Sequence, residues 1–192
     1  MILYLHGFRS SPRSYKSRVV AQRMAALGLA DHLLCPHLPA SPTEAMALTQ
    51  MLVRRFPAEE LAIVGSSLGG YYATWMAERI GCRAVLLNPA ITPLKDLERH
   101  VGVSTEYHSE RPFEFKESYI DELRALAVPQ ITRPERYFLI AATGDEVLDY
   151  RDMVAHYAGA RQQVIEGSDH AISEFAQYVD SVLAFCMPDA KW

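Results

Sequence analysis

The chain has 192 residues, of which 49% are hydrophobic and 22% charged, enough to build one domain with a sizeable core and no disulfide bonds. The net charge of −4 gives no reason to expect a nucleic acid or an anionic membrane as partner. The apolar runs are too short to span a bilayer. Three scattered cysteines, Cys35, Cys82 and Cys186, indicate reduced thiols, and the N-terminus lacks a signal-peptide pattern. We therefore expect a cytoplasmic protein with a single domain over residues 1–192.

The first part of the chain alternates short apolar runs with amphipathic stretches. Ile2–Leu5 predicts a first strand, followed by a helix that we expect to begin at Ser10-Ser11-Pro12. Leu33–Cys35 predicts the second strand. Ser41-Pro42-Thr43-Glu44 has the pattern of a capping box with proline at the first helical position. The expected core face of that second helix comprises Leu48, Met51, Leu52 and Phe56.

A nucleophile elbow is predicted in the middle of the first half. Leu61–Val64 indicates a third strand, Gly65–Gly69 has the pattern Gly-x-Ser-x-Gly around Ser67, and apolar residues at helical spacing follow directly. A sharp turn between strand and helix holds such a serine exposed at the carboxyl edge of a sheet. The alternatives are a purely structural glycine turn and a phosphate-binding loop. The second lacks the Gly-Lys-Ser/Thr ending.

Three further strands are predicted in the second half: Ala84–Leu87, Tyr137–Ala141 and Gln163–Ile165. The expected core face of the last helix comprises Ile172, Phe175, Val179, Val182 and Cys186. Continuous apolar strands that alternate with helices predict an α/β fold, a doubly wound, mostly parallel sheet of about six strands. Ligands of such sheets bind outside the carboxyl ends of the strands, where the polar residues of this chain converge.

Residues 91–135 break this alternation. Two short helices are expected, near Leu94–His100 and near Tyr119–Leu126, with an irregular, aromatic-rich stretch between them. The segment is too long for a plain connection. It follows the carboxyl end of the fourth strand, so we expect a lid over the site; an insertion that only pads the sheet is the alternative.

A serine nucleophile needs a general base that is oriented by an acid. Ser67, Asp145 and His170 occur in the Ser–Asp–His order of α/β-hydrolases, each after a predicted strand. Asp149 and Glu146 are alternatives for the acid, although Asp149 also stands where a helix cap is expected. The histidines with no evident partner in the sequence are His32, His100, His108 and His156.

An oxyanion that forms on the acyl carbonyl needs donors already in place. The backbone N–H groups of Leu68 and Phe8 are the expected donors, and His6, Gly7 and Asn88 are expected at the substrate pocket. A zinc site at His32, Cys35 and His37 is disfavoured, because His32 and Cys35 face opposite sides of a strand and no fourth ligand is evident. We expect neither metal nor cofactor.

Together, five segments resemble the α/β-hydrolase superfamily over almost the whole chain, and in particular the small bacterial YqiA/YcfP-type esterases. They are His6–Phe8, Gly65–Gly70, Asn88–Ala90, Thr143–Tyr150 and Gly167–His170. The resemblance implies a compact serine hydrolase that lacks the first two strands of the superfamily and cleaves carboxylic esters, or acyl thioesters, of small molecules. A non-catalytic binding protein on the same fold is the alternative.

Overall fold

A computed structural model describes residues 1–107 and 109–188. The strands are β1 (Ile2–Leu5), β2 (Leu33–Leu34), β3 (Ala62–Ser66), β4 (Arg83–Leu87), β5 (Gly102–Thr105), β6 (Pro112–Phe115), β7 (Tyr137–Ala142) and β8 (Arg161–Ile165). The α-helices are α1 (Tyr15–Ala26), α2 (Pro42–Val53), α3 (Leu68–Ile80), α4 (Leu94–Glu98), α5 (Ser118–Ala125), α6 (Tyr150–His156) and α7 (Val179–Cys186). No helix among the described residues is long and apolar enough to cross a membrane.

The main sheet has six strands in the order β2-β1-β3-β4-β7-β8, and every neighbouring pair is parallel. The predicted doubly wound, parallel α/β sheet is therefore confirmed. The chain leaves β1 toward β2 on one side and returns to β3 on the other. Such a reversal opens a crevice between the carboxyl ends of the two strands, which is where open α/β sheets bind ligands.

Helices cover both faces of this sheet because each buried strand presents apolar side chains to both sides. One core contains Leu3, Leu5 and Ile63 from the strands with residues of α2, α3, α5 and α6. The opposite core contains Ile2 and Tyr4 with residues of α1 and α7. The site edge thus has two flanks, one beside α1 and α7 and the other beside residues 91–135.

Two local predictions in the first half differ from the structure. Helix α1 begins at Tyr15, not at Pro12, because the Ser11 hydroxyl accepts the Arg13 N–H in a separate turn before it. In α2 the predicted N-cap is confirmed, since the Ser41 hydroxyl accepts the Glu44 N–H at 3.2 Å and Pro42 is the first helical residue. Its predicted core face is wrong, however, and Met51 is 55% exposed. The buried residues of α2 are Pro42, Ala45, Met46, Thr49 and Val53.

Between the two expected helices of the insertion, the stretch predicted as irregular contains an antiparallel pair, β5 with β6. Phe113 and Phe115 of this hairpin stack edge-on against Phe8, each at a ring-centroid distance of 5.1 Å. On α5, the Glu122 carboxylate accepts the Ser41 hydroxyl at 2.7 Å. The insertion is thereby fastened to the loop after β1 and to the start of α2. Its role as a lid stays a prediction.

The last predicted helix is divided. A single 3₁₀ turn, Phe175–Gln177, precedes α7, and Tyr178 separates the two. All five residues of the predicted core face are nevertheless buried in one cluster. The apolar spacing therefore located the buried side correctly but could not show the break.

Candidate active site

Ser67 lies in the sharp turn between β3 and α3, with φ 54° and ψ −122°. A residue other than glycine rarely adopts these backbone angles unless the surrounding structure enforces them. The glycines around Ser67 are needed because the backbone is packed too closely there for a side chain. A Cβ on Gly65 would lie 2.3 Å from the Gly69 carbonyl oxygen, and a Cβ on Gly69 would lie 2.0 Å from the Leu5 carbonyl oxygen. The elbow predicted from Gly65–Gly69 is therefore present as a backbone structure.

Three of the predicted site residues meet in one hydrogen-bonded chain. His170 Nε2 lies 3.1 Å from Ser67 Oγ, and Nδ1 of the same ring lies 2.8 Å from Asp145 Oδ2. The other carboxylate oxygen of Asp145 accepts the backbone N–H groups of Val147 and Leu148. With a fully buried carboxylate as partner, Nδ1 carries the proton, so Nε2 presents its lone pair to the serine.

The two alternative acids occupy other positions. Asp149 caps α6, where its carboxylate accepts the Arg151 N–H at 2.9 Å. Glu146 accepts the backbone N–H of His170 at 3.0 Å rather than an imidazole proton. Of the three carboxylates after β7, only that of Asp145 contacts the His170 ring.

The backbone of His170 is held from three sides. Besides the Glu146 carboxylate on its N–H, its carbonyl oxygen accepts Lys16 Nζ at 2.9 Å and Asn88 Nδ2 at 3.2 Å. The side-chain oxygen of Asn88 in turn accepts the Ala142 N–H at 2.8 Å. Asn88 therefore joins the loop of His170 to the end of β7, and the sequence reasoning missed Lys16 at this loop.

Asn88 and His6, which were predicted at the substrate pocket, are buried and do not line the cavity beside Ser67. Asn88 is fully buried, and only 4% of His6 is exposed. His6 donates from Nδ1 to the Gly7 carbonyl and accepts the Leu38 N–H at Nε2, each at 3.0 Å. Burial lowers the pKa of His6 to about 4, so the neutral ring fixes the loop after β1.

Of the predicted oxyanion donors, Leu68 follows Ser67 directly in the chain and Phe8 follows Gly7 in the loop after β1. Leu68 is the first residue of α3, so its N–H has no acceptor within the helix. Within residues 1–107 and 109–188, the Phe8 N–H also has no hydrogen-bond acceptor. Gly7 lies against the serine, since a Cβ there would be 3.2 Å from Ser67 Cβ. This packing brings the backbone of the loop after β1 to Ser67.

A cavity of about 600 Å³ opens at Ser67 and His170. On the insertion side its apolar lining is formed by Phe8, Ala90, Pro93, Leu97, Val147 and Leu148, and the polar side chains of Asp96, His100, Tyr107 and Glu146 also line the cavity. On the α1 side it is polar, formed by Ser10, Ser14, Tyr15 and Lys16. Gly7 also lines this cavity.

Three further histidines have structural contacts, whereas His32 is exposed. His37 pairs with the Glu106 carboxylate at 2.7 Å, and the ring of His100 packs against Phe8. His156 packs against the ring of Tyr157; His108 lies outside the described residues. Among the residues that are described, no group of three His, Cys, Asp or Glu side chains is placed to hold a metal ion.

Residues 1–187 match the profile of the Uncharacterised protein family (UPF0227). The chain belongs to this family. The resemblance inferred from its sequence motifs is thereby confirmed for this UPF0227 protein.

Solved structures share its fold. Est1E from Butyrivibrio proteoclasticus with bound ferulic acid has a TM-score of 0.73 at 15% identity, over 98% of this chain and 89% of that one. Tomato methylketone synthase I with 2-tridecanone has a TM-score of 0.68 at 15% identity, over 98% of both chains. Mouse alpha/beta hydrolase domain-containing protein 10 has a TM-score of 0.67 at 16% identity, over 95% of this chain and 88% of that one. The UPF0227 chain thus has an α/β-hydrolase fold.

Proposed function

We propose that this protein is a cytoplasmic serine hydrolase that cleaves carboxylic esters or acyl thioesters of small molecules through an acyl-enzyme, without a cofactor. The observation that carries the proposal is the alignment of Ser67 Oγ, the His170 imidazole and the buried Asp145 carboxylate over contacts of 3.1 and 2.8 Å. A serine at a strained turn, a base within reach and an oriented acid are the parts that acyl transfer requires.

In the proposed mechanism, His170 Nε2 takes the proton of Ser67 as its oxygen attacks the acyl carbonyl. The N–H groups of Phe8 and Leu68 donate to the oxyanion, and Asp145 stabilises the imidazolium that forms. His170 then returns the proton to the departing alcohol or thiol. In the second half, the same imidazole takes a proton from water as the water oxygen attacks the acyl carbon. It then gives that proton to Ser67 Oγ as the bond to the acyl carbon breaks and the acid is released.

The residues that line the cavity support an apolar acyl group as part of the substrate. Phe8, Pro93, Leu97 and Leu148 line it on the insertion side, and apolar side chains such as these favour an acyl chain over a charged group. In this proposal residues 91–135 act as the lid that excludes water from the acyl-enzyme. An ester and a thioester differ only in the leaving group, so the same triad serves both.

The test is a hydrolysis panel of p-nitrophenyl esters of rising chain length beside matching acyl thioesters. We expect turnover by the wild type and only background rates for Ser67→Ala. Ser181→Ala is the matched control, because that hydroxyl bonds to the Tyr178 carbonyl in α7, away from the cavity. A fluorophosphonate should add one label to the wild type and none to Ser67→Ala, measured by intact mass.

Two results contradict the proposal. One is ester hydrolysis by Ser67→Ala at the wild-type rate. The other is folded wild-type protein that neither takes the label nor turns over any substrate of the panel, which favours the non-catalytic binding protein.

A further inference from the structure

Lys16 is a buried cation that the proposed mechanism does not use. It lies in the first turn of α1, is 7% exposed and lines the cavity beside Ser67 and His170. Its ammonium donates to the His170 carbonyl oxygen at 2.9 Å. An ammonium has three N–H donors, and across residues 1–107 and 109–188 no other acceptor and no carboxylate within 4.0 Å is found for it.

The acidic groups that face Lys16 are already engaged. Asp145 accepts from His170 and two backbone N–H groups, and Glu146 accepts the His170 N–H. Asp169 accepts both the backbone N–H and the hydroxyl of Ser173. These three carboxylates act on Lys16 only from a distance, as charges that favour its protonated form.

A buried charge without an ion pair is costly to fold around. Burial lowers the pKa of Lys16 to about 8, which leaves the group mostly charged near neutral pH. Such a group in a cleft beside a nucleophile points to a function rather than to stability.

The position of Lys16 indicates which part of a substrate it meets. The acyl-binding wall of the proposed enzyme lies on the insertion side, with Pro93 and Leu97. Lys16 lies on the other flank with Ser10 and Ser14, whose hydroxyls line the same part of the cavity. Ser67 stands between the two flanks, so a substrate whose acyl chain fills the apolar side extends its leaving group toward Lys16.

We propose that Lys16 binds an anionic group, a carboxylate or a phosphate, on the leaving portion of the substrate. This inference rests on the proposed ester or thioester hydrolysis and names its substrate class. The substrate anion completes the ion pair that the protein leaves open, and the Ser10 hydroxyl donates to another of its oxygens. The hydrogen bond to His170 keeps the ammonium beside the reacting centre.

The test compares substrates that differ only in this charge. S-butyryl-3-mercaptopropionate is compared with its methyl ester, and S-butyryl-2-mercaptoethyl phosphate forms the phosphate arm; thiol release gives kcat/KM. A charge-assisted hydrogen bond contributes about 1.5–3 kcal/mol, so we expect the wild type to prefer one or both anions about tenfold or more. The arm with the larger preference identifies the anion.

The ratio of the anionic to the neutral kcat/KM is the measurement, because Lys16 also supports His170 and its loss lowers both rates. Lys16→Met is expected to bring the ratio close to one. Lys116→Met, which removes an exposed lysine of the hairpin outside the cavity, keeps the wild-type ratio. The wild-type ratio should also fall as the pH rises through about 8, where Lys16 loses its charge in the field of Asp145, Glu146 and Asp169. That measurement needs no variant.

A wild-type ratio near one for both anions overturns the inference. So does an equal loss for anionic and neutral substrates in Lys16→Met, which reduces Lys16 to a positioning residue for His170. Both results leave the hydrolase proposal intact, provided that Ser67→Ala fails to cleave the neutral thioester.

Discussion

Asp145→Asn is the sharpest test of the triad, because the substitution keeps the shape of the side chain and removes its charge. In the wild type, one carboxylate oxygen accepts the N–H groups of Val147 and Leu148 while the other accepts His170 Nδ1–H. The asparagine amide has a single acceptor oxygen. With that oxygen held by the two backbone donors, its NH₂ group faces the imidazole and donates to Nδ1.

The consequence is a change of tautomer. The proton of the neutral ring moves to Nε2, which lies 3.1 Å from Ser67 Oγ and then donates instead of accepting. Loss of the correctly oriented base costs about 10³- to 10⁴-fold in kcat, or about 4–5 kcal/mol of transition-state stabilisation. We expect KM to change far less, because Asp145 does not line the cavity.

The assay is steady-state hydrolysis of the best p-nitrophenyl ester, with near-ultraviolet circular dichroism to show that the fold is kept. Asp149→Asn is the matched control: asparagine caps helices as well as aspartate does, so activity and stability should stay near those of the wild type. The reasoning is refuted if folded Asp145→Asn retains kcat within tenfold of the wild type, or if Asp149→Asn loses more activity than Asp145→Asn.

Three further outcomes follow from contacts around the site. Gly69→Ala forces a Cβ to 2.0 Å from the Leu5 carbonyl oxygen, so we expect the free energy of unfolding in urea to fall by about 3 kcal/mol or more. The control Gly28→Ala has open space around it but φ +73°, and it should lose about 1–2 kcal/mol. Equal losses in the two variants would contradict this reasoning. Asn88→Ala leaves the buried Ala142 N–H without its acceptor, so a loss of about 1–3 kcal/mol should accompany a fall in kcat as the His170 loop loosens; unchanged kcat would show that the loop is held without Asn88. Burial lowers the pKa of His6 from 6.5 to about 4, so between these pH values the unfolded chain binds a proton that the folded chain does not. The free energy of unfolding should therefore fall by about 3 kcal/mol from pH 7 to pH 4. A pH dependence identical in His6→Gln would assign the loss to other groups.

The sheet could be predicted because its strands are buried on both faces. Apolar runs such as Leu61–Val64 and Ala84–Leu87 have few other interpretations when helices follow each of them. The caps at Ser41 and Asp149 were also predictable, since they depend on residues within three positions. The face of α2 was not, because its buried side contains Ala45 and Thr49, which carry little apolar signal.

The insertion shows a different limit. Tyr107, Phe113 and Phe115 marked the stretch as aromatic, but two strands of four residues each leave little periodicity to recognise. The pairing becomes stable through contacts with Phe8, about a hundred residues away in the chain. Tertiary contacts of that kind override local preference.

The candidate site also contains residues that the sequence could predict and residues that it could not. Ser67, Asp145 and His170 could be inferred because each follows a strand, and the carboxyl ends of parallel strands meet at one edge. Lys16 carries no such mark: its contact with His170 spans 154 positions, and in sequence it is one residue of an amphipathic helix. The groups that hold the imidazole had to be seen in three dimensions, whereas the groups that would perform the chemistry did not. A substrate anion would be bound by Lys16, a residue that only the three-dimensional structure places at the site. The sequence motifs therefore indicate the reaction but do not identify the leaving group.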